Sequence, residues 1–186
     1  VERLRGILTD FLEFAGELRL DRSEADLNAA VGELIDFFAP QAEKSGVRLR
    51  TDLSQGPLRA SVDVSHIKQA VLNLMLNATQ AMTASTSASD DASTPSRPRE
   101  LIIKTLATRD SDQRGIAQIH VIDTGPGIPA DVLPRIFTPY FTTKSGGTGL
   151  GLPTSRRLIE TRKNRIEVFS EPGRGTTVSF SIPLEA

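Results

Sequence analysis

A chain of 186 residues, 38% hydrophobic and 24% charged, is long enough for one substantial core with a short appendage. Its 22 basic and 23 acidic residues leave a net charge of −1, which provides no basic footprint for nucleic acid. With no Cys and two His, disulfides and thiolate metal sites are excluded and a zinc site lacks ligands; no apolar run nears the ~18 residues that span a bilayer and no signal peptide is visible, so a soluble, intracellular domain is expected.

Residues 1–20 place Leu4, Ile7, Phe11, Phe14 and Leu18 at alternating three- and four-residue steps, the pattern of an amphipathic helix with a heptad seam. Such a helix packs on its own domain or pairs with another chain, and its abrupt start at Val1 suggests a cut end. Charged and polar residues follow from Asp21. Asp26 and Leu27 then lead into a second amphipathic helix carrying Val31, Leu34, Ile35, Phe38 and Ala42, which Gly46 ends. Residues 47–53 alternate apolar and polar as a half-buried strand does; a Gln55-Gly56-Pro57 turn separates them from an extended piece, 58–62, and the two are expected to pair.

Residues 63–82 carry Val64, Ile67, Val71, Leu74, Ala78 and Met82 at helical spacing. The polar face of this helix stacks Asn73, Asn77 and Gln80 at i, i+4 and i+7, although Asn is a mediocre helix former. An amide carbonyl on a rigid helix can complete the shell of a Mg2+ whose other ligands are phosphates and water; two ordinary amides on a solvated face fit the same pattern. Residues 83–100, rich in Ser, Thr and Ala, read as a flexible polar loop. Strands are expected at 101–108 and 116–123.

The second of those strands delivers Asp123 into the turn Asp123-Thr124-Gly125-Pro126-Gly127-Ile128-Pro129, where side-chain bulk is absent and a carboxylate can accept hydrogen bonds from a flat ligand. A second Gly-rich turn, Gly146-Gly147-Thr148-Gly149-Leu150-Gly151-Leu152, precedes a helix, where glycines let backbone N–H groups approach phosphate oxygens. Either cluster alone reads equally well as a tight turn. Joined by an aromatic, Thr-rich loop, they bracket adenine at one end and phosphates at the other. The spacing is neither the Walker G-x-x-x-x-G-K-S/T nor the Rossmann G-x-G-x-x-G. Pro153 falls in the first turn of a helix expected to run to Lys163, and the chain closes with a hairpin of residues 166–170 and 176–184 around Glu171-Pro172-Gly173-Arg174-Gly175.

The ordered motifs NLMLNATQAM, DTGPGIP, IFTPYFTTK, GGTGLGL and SEPGRGTTVSFSIPL resemble those of the catalytic, ATP-binding domain of two-component sensor histidine kinases, in the wider GHKL or Bergerat-fold superfamily. The resemblance covers nearly the whole chain. It implies a two-layer α/β sandwich with a mixed β-sheet packed on three helices, ATP lying under a mobile lid at 137–151, and a catalytic domain spanning 21–186. Residues 1–20 resemble the end of the second helix of a dimerisation and phosphoacceptor domain, and the lid wording is most similar to nitrogen-sensor-type kinases.

Carried onto this chain, the resemblance makes Asn77 the Mg2+ ligand and Asn73 its companion in binding and catalysis. Asp123 takes the adenine amino group, with Gly125, Gly127 and Ile128 in the base-side turn. Phe137 and Phe141 anchor the lid; Gly147, Thr148, Gly149, Leu150 and Gly151 hold the phosphates; Thr176 reaches the adenine side through water. Lys144 on the lid is expected, on physical grounds, to neutralise phosphate charge and so to take part in catalysis.

Three departures stand out. Gln80 stands where many relatives carry a phosphate-reaching Lys, Arg162-Lys163-Asn164 replaces the usual His-Gly-Gly, and the phosphoacceptor His is absent, since His66 and His120 read as structural. The implied mechanism moves the ATP γ-phosphoryl group to a histidine on a separate dimerisation domain, then to an Asp of a response regulator, in a cytoplasmic region of a homodimer whose full-length form is membrane-anchored or not. Two rivals remain. A hydrolase of the superfamily carries a water-activating Glu at the position of Asn73, and a non-catalytic binding module would have lost its nucleotide.

Overall fold

The computed structural model describes residues 21–84, 98–144, 147–160 and 164–185. The helix expected at 1–20, most of the polar loop at 83–100, Gly146 of the second glycine cluster, and Arg162 and Lys163 of the altered turn lie outside the described residues.

The described chain opens with β1, Ser23–Asp26, and α1, Leu27–Lys44. Asp26 joins them because its carboxylate accepts the N–H groups of Asn28 and Leu58, both at 2.9 Å, capping the helix and tying it to the extended piece that follows. Helix α1 turns Leu27, Val31, Leu34, Ile35, Phe38 and Ala42 inward, and Gly46 takes a left-handed φ of 67° just after its end, as expected. Strands β2, Arg48–Asp52, and β3, Arg59–Val62, follow. Here the structure corrects the expected pairing: β3 pairs antiparallel with β1, while β2 pairs parallel with a strand distant in sequence. Strand β1 was not foreseen at all. Its residues are charged or small, and strand character comes from its partner rather than from a hydrophobic pattern.

Helix α2, Val64–Ala84, runs two residues past the expected end. Asp63 precedes it, accepting the His66 N–H at 3.1 Å. Strands β4, Glu100–Arg109, and β5, Gly115–Asp123, form an antiparallel pair; a 3-10 turn, Leu133–Arg135, precedes the lid region; then come α3, Gly151–Ile159, and the hairpin of β6, Arg165–Glu171, with β7, Gly175–Pro183. Helix α3 stops at Ile159, with Glu160 extended at its C-cap, short of the expected Lys163.

The main sheet has the order β2-β4-β5-β7-β6 and is mixed, since only the β2·β4 pairing is parallel. Along β5, Ala117, Ile119 and Val121 are buried under the helices while Gln118, His120 and Ile122 on the opposite face are only half-buried, the alternation of a sheet covered on one side. All three described helices contribute to the core beside Leu101, Ile103, Phe180 and Ile182. Each such fully buried large side chain contributes about 1.5–3 kcal/mol through burial. The result is the expected two-layer α/β sandwich, with a small second sheet, β1-β3, at its margin.

Candidate functional site

The alternation that buries Ala117, Ile119 and Val121 continues to the last residue of β5, so Asp123 also points inward, with only 8% of its surface exposed. Burial pushes its carboxyl above the usual range, and the N–H groups of Gly125 and Thr176 and the Lys144 ammonium counter part of that rise. The Gly125 N–H donates to Asp123 Oδ1 at 2.8 Å.

The turn beyond Asp123 is fixed from two sides. Thr124 Oγ1 accepts the Glu100 N–H and donates to the Pro98 carbonyl, both at 2.9 Å. Gly127 has φ 71°, and a Cβ there would stand 2.2 Å from the Glu171 carbonyl oxygen, so neither conformation nor space admits a side chain. The Gly173 N–H donates to Pro126 O at 2.7 Å. Ser170 Oγ accepts the Ile128 N–H at 2.8 Å, donates to Gly175 O at 3.0 Å and lies 2.8 Å from the buried Thr176 Oγ1. Sequence reasoning missed Ser170; a Ser at a strand end carries no signal of what it will clamp.

At the other end, α2 presents Asn73 and Asn77, both half-buried, and the exposed Gln80. Gly151, the first residue of α3, abuts Asn77: a Cβ there would come 3.3 Å from Asn77 Nδ2. The two helices are locked by the wholly buried Ser155, whose Oγ donates to Gly151 O at 3.0 Å and to Ala70 O at 3.4 Å. Before α3, Gly149 has φ 69°, and a Cβ would lie 2.5 Å from the Tyr140 carbonyl carbon; the Tyr140 N–H donates to Gly149 O at 3.0 Å. Leu150 is 1% exposed and its side chain belongs to the core, so only its backbone can serve a ligand. Its N–H reaches Thr148 Oγ1 at 3.4 Å. Gly147 lies exposed beside Thr142 and Lys144.

Between the two ends runs the lid segment. Phe137 packs half-buried on the core with the Arg156 guanidinium 5.1 Å from its ring centre, and Phe141 lies under Arg135 at 4.3 Å. Lys144 crosses to α2, where its Nζ donates to Asn77 Oδ1 at 3.0 Å, Gln80 Oε1 at 3.0 Å and the Asn77 carbonyl at 3.3 Å. Burial lowers the basicity of this ammonium, and the charge of Asp123 partly restores it.

The arrangement therefore offers a buried acceptor at one end and, at the other, amide oxygens, an ammonium and the N-terminus of a helix, a combination suited to an anion. Among the described residues no group of three His, Cys, Asp or Glu side chains could hold a metal, so a cation here would depend on amide and ligand oxygens. Asn77 Oδ1 already takes a cationic partner in Lys144, which fits a hard divalent ion bound mainly by phosphate. His66 sits in the first turn of α2, at the far end of that helix from Gln80, with Nδ1 3.4 Å from Asp63. His120 pairs between Lys104 and Ser179 on the sheet's open face, where burial first, and Lys104 second, depress its basicity.

The chain is similar to known proteins in sequence and fold. The family described as Histidine kinase-, DNA gyrase B-, and HSP90-like ATPase matches residues 62–186. The sensor histidine kinase ZraS of Klebsiella oxytoca is 31% identical over 98% of this chain, and sporulation kinase E of Bacillus subtilis 29% identical over 99%. The chain spans 36% of the first relative's length and 23% of the second's. Among solved structures, the catalytic domain of histidine kinase ThkA superposes with a TM-score of 0.70 at 27% identity, covering 88% of this chain and 96% of that one. Full-length ShkA in complex with AMPPNP gives 0.79 at 23% identity, covering 100% of this chain and 36% of that one, a likeness of fold. By the order of its motifs, its fold and its sequence, this chain belongs to the histidine kinase-, DNA gyrase B- and HSP90-like ATPase family, and within it is similar to the catalytic domains of histidine kinases.

Proposed function

We propose that this domain binds ATP with Mg2+ and presents the γ-phosphoryl group to a histidine on a dimerisation domain of its own homodimeric parent, from which the group passes to an Asp of a response regulator. The observation that carries the reading is the pairing, across one lid, of the buried Asp123 carboxylate with the Asn77, Lys144 and Gly151 cluster. A structure of ThkA in complex with the response regulator TrrA, to which this chain is 25% identical over 99% of its length at a TM-score of 0.75, supports the choice of partner.

In this reading Asp123 accepts the adenine amino group, and the Gly125 to Ile128 turn, clamped by Ser170 and Thr176, forms the wall against which the base lies. Asn77, with Asn73 one turn earlier, offers amide oxygens to Mg2+, which when bound supplies neutralisation of phosphate charge. The backbone N–H groups from Gly147 to Gly151 face the phosphates at the start of α3, Thr148 fixes that loop, and Lys144 adds a positive charge where charge develops during transfer. Phe137, packed on the core, and Phe141, under Arg135, anchor the start of the lid. Transfer breaks the bond between the γ-phosphorus and its bridging oxygen and forms a bond to the acceptor nitrogen, so the domain's part is positioning and electrostatics. Asn73 bears on the reaction chosen: an amide cannot take a proton from water, which favours transfer over hydrolysis. We place the reaction in the cytoplasm; among the described residues no helix is long and apolar enough to cross a membrane.

The test supplies radiolabelled ATP together with a dimerisation domain bearing the acceptor His, and reads the ratio of acid-labile label on that domain to phosphate released. Transfer should exceed hydrolysis, and Asn77→Ala should reduce it. Loss of the tether slows transfer in trans but not hydrolysis, so the acceptor domain is supplied in large excess. Rapid multiple-turnover phosphate release with no labelled His would overturn the kinase reading.

A further inference from the structure

The seat of Lys144 contains more than a charge waiting for phosphate. An ammonium has three N–H donors, and three oxygens of α2 surround this one: Asn77 Oδ1, Gln80 Oε1 and the Asn77 carbonyl. Asn77 and Gln80 stand at i and i+3, so their amide oxygens project side by side from one face. They also lie on the C-terminal half of α2, where carbonyl groups and the helix dipole favour a cation, yet the last turn of that helix carries no basic residue of its own. The lid supplies it. Moreover, Asn77 Oδ1, the oxygen best placed for a divalent ion, is the same atom that holds the ammonium.

We infer that Gln80 is a positioning residue: with Asn77 it seats the Lys144 ammonium on α2 and so latches the lid, and the ammonium and a phosphate-bound divalent cation compete for Asn77 Oδ1. The competition rests on the nucleotide reading above; the latch does not. A cation arriving on a triphosphate displaces the lysine from Asn77, and the freed ammonium turns to the phosphate oxygens, so the strength of Gln80's hold sets how readily the lid exchanges one partner for the other. A carboxylate at position 80 tightens the hold, a methyl group releases it, and the amide lies between.

The chain's single Tyr, Tyr140, is on the lid, with 60% of its surface exposed, so fluorotyrosine incorporated there reports lid state without a competing signal. Hydrogen exchange over residues 138–144 gives a second readout. Relative to wild type, Gln80→Ala should speed that exchange about 3- to 10-fold while Gln80→Glu slows it by a similar factor, and β4 and β5 should be unaffected in both. The opposite signs separate positioning from a merely structural role. In a Lys144→Met background both differences should vanish, because the two side chains act through one contact. With Mg2+ and a non-hydrolysable ATP analogue, Gln80→Glu should also weaken binding by about 3- to 10-fold. Equal lid exchange in all three position-80 forms, or differences that survive Lys144→Met, would overturn the latch even if the analogue binds normally. Failure of wild type to bind the analogue, with the exchange differences intact, would instead overturn the nucleotide reading and the competition with it.

Discussion

The two ends of the candidate site are held by different kinds of bond. At the base side the contacts run mainly through backbone: Pro126 to Gly173, Thr124 to Glu100, and Ile128 to Ser170 on the edge of a sheet whose register is fixed over β4, β5, β6 and β7. At the phosphate side, among the described residues, the lid's hydrogen bonds to α2 come from one long side chain, Lys144, set on two side-chain amides and the Asn77 carbonyl. The first arrangement is preformed, because moving Asp123 means breaking strand pairings. The second can be remade, because exchanging one oxygen partner for another leaves the fold untouched. In the proposed reading, a domain that recognises a nucleotide and also closes over it gains from keeping these two duties apart.

The largest test of this contrast is Asp123→Asn. Asparagine keeps the shape and can still accept the Gly125 N–H, but it presents neither the charge nor the second acceptor oxygen to a base. Affinity for ATP measured by calorimetry should fall by about 5- to 150-fold, matching the ~1–3 kcal/mol cost of a mismatched buried polar group. Unchanged affinity, with an unchanged circular dichroism spectrum, would remove the base from this end of the site.

A smaller effect compares two glycines. Alanine at Gly127 and at Gly149 meets the same left-handed backbone and similar overlap, 2.2 Å with Glu171 O in the first case and 2.5 Å with the Tyr140 carbonyl carbon in the second. If the base side is part of the rigid body and the lid is not, the consequences differ. Gly127→Ala should lower stability by about 1–3 kcal/mol, or roughly 2–4 °C in Tm per kcal/mol, because the β6–β7 turn cannot yield. Gly149→Ala should shift Tm by less, since Tyr140 is exposed and can move, while lid exchange accelerates. Equal Tm losses would mean that the lid is as firmly built as the sheet.

The sequence makes these two ends legible to different depths. Asp123 and its glycines can be read because a strand alternation and a turn free of side chains are local patterns, and the same is true of the Asn face of α2. Ser170 cannot, since its meaning lies in an N–H 42 residues away, at Ile128. Nor can the seat of Lys144, whose partners on α2 precede it by 64 and 67 residues. The same limit explains the misjudged strands: β2 and β3 are adjacent in sequence and both alternate, which suggests a hairpin, yet β2 finds β4 and β3 finds β1. Strand character is visible in a segment, but its partner is chosen by the whole fold. Hydrophobic spacing locates α1 and α2 because both face the same core, whereas α3 is marked by the glycines before it and by Pro153 in its first turn.

The smallest effect, and the one with the clearest sign, is how the two ends answer to pH. Burial holds the Asp123 carboxyl above its usual 3.8, so the folded chain keeps this proton more tightly than the unfolded chain does. The contribution of Asp123 to stability is therefore full below the unfolded value and is lost as pH rises through the folded one. Lys144 runs the other way: burial lowers its pKa from 10.5, the unfolded chain holds that proton more tightly, and its penalty is relieved only as pH rises above the lowered value. Total acid stability would blur this, because other carboxylates such as Asp110, held low mainly by the Arg114 N–H, lose stability as pH falls. Comparison with Asp123→Asn isolates the site. In urea titrations from pH 4 to pH 8, the variant should gain stability relative to wild type as pH rises, while it loses nucleotide. A variant that instead becomes relatively less stable toward pH 8 would show the carboxylate to be held by Lys144 and its N–H donors more strongly than burial penalises it, and the base side would then depend on the lid.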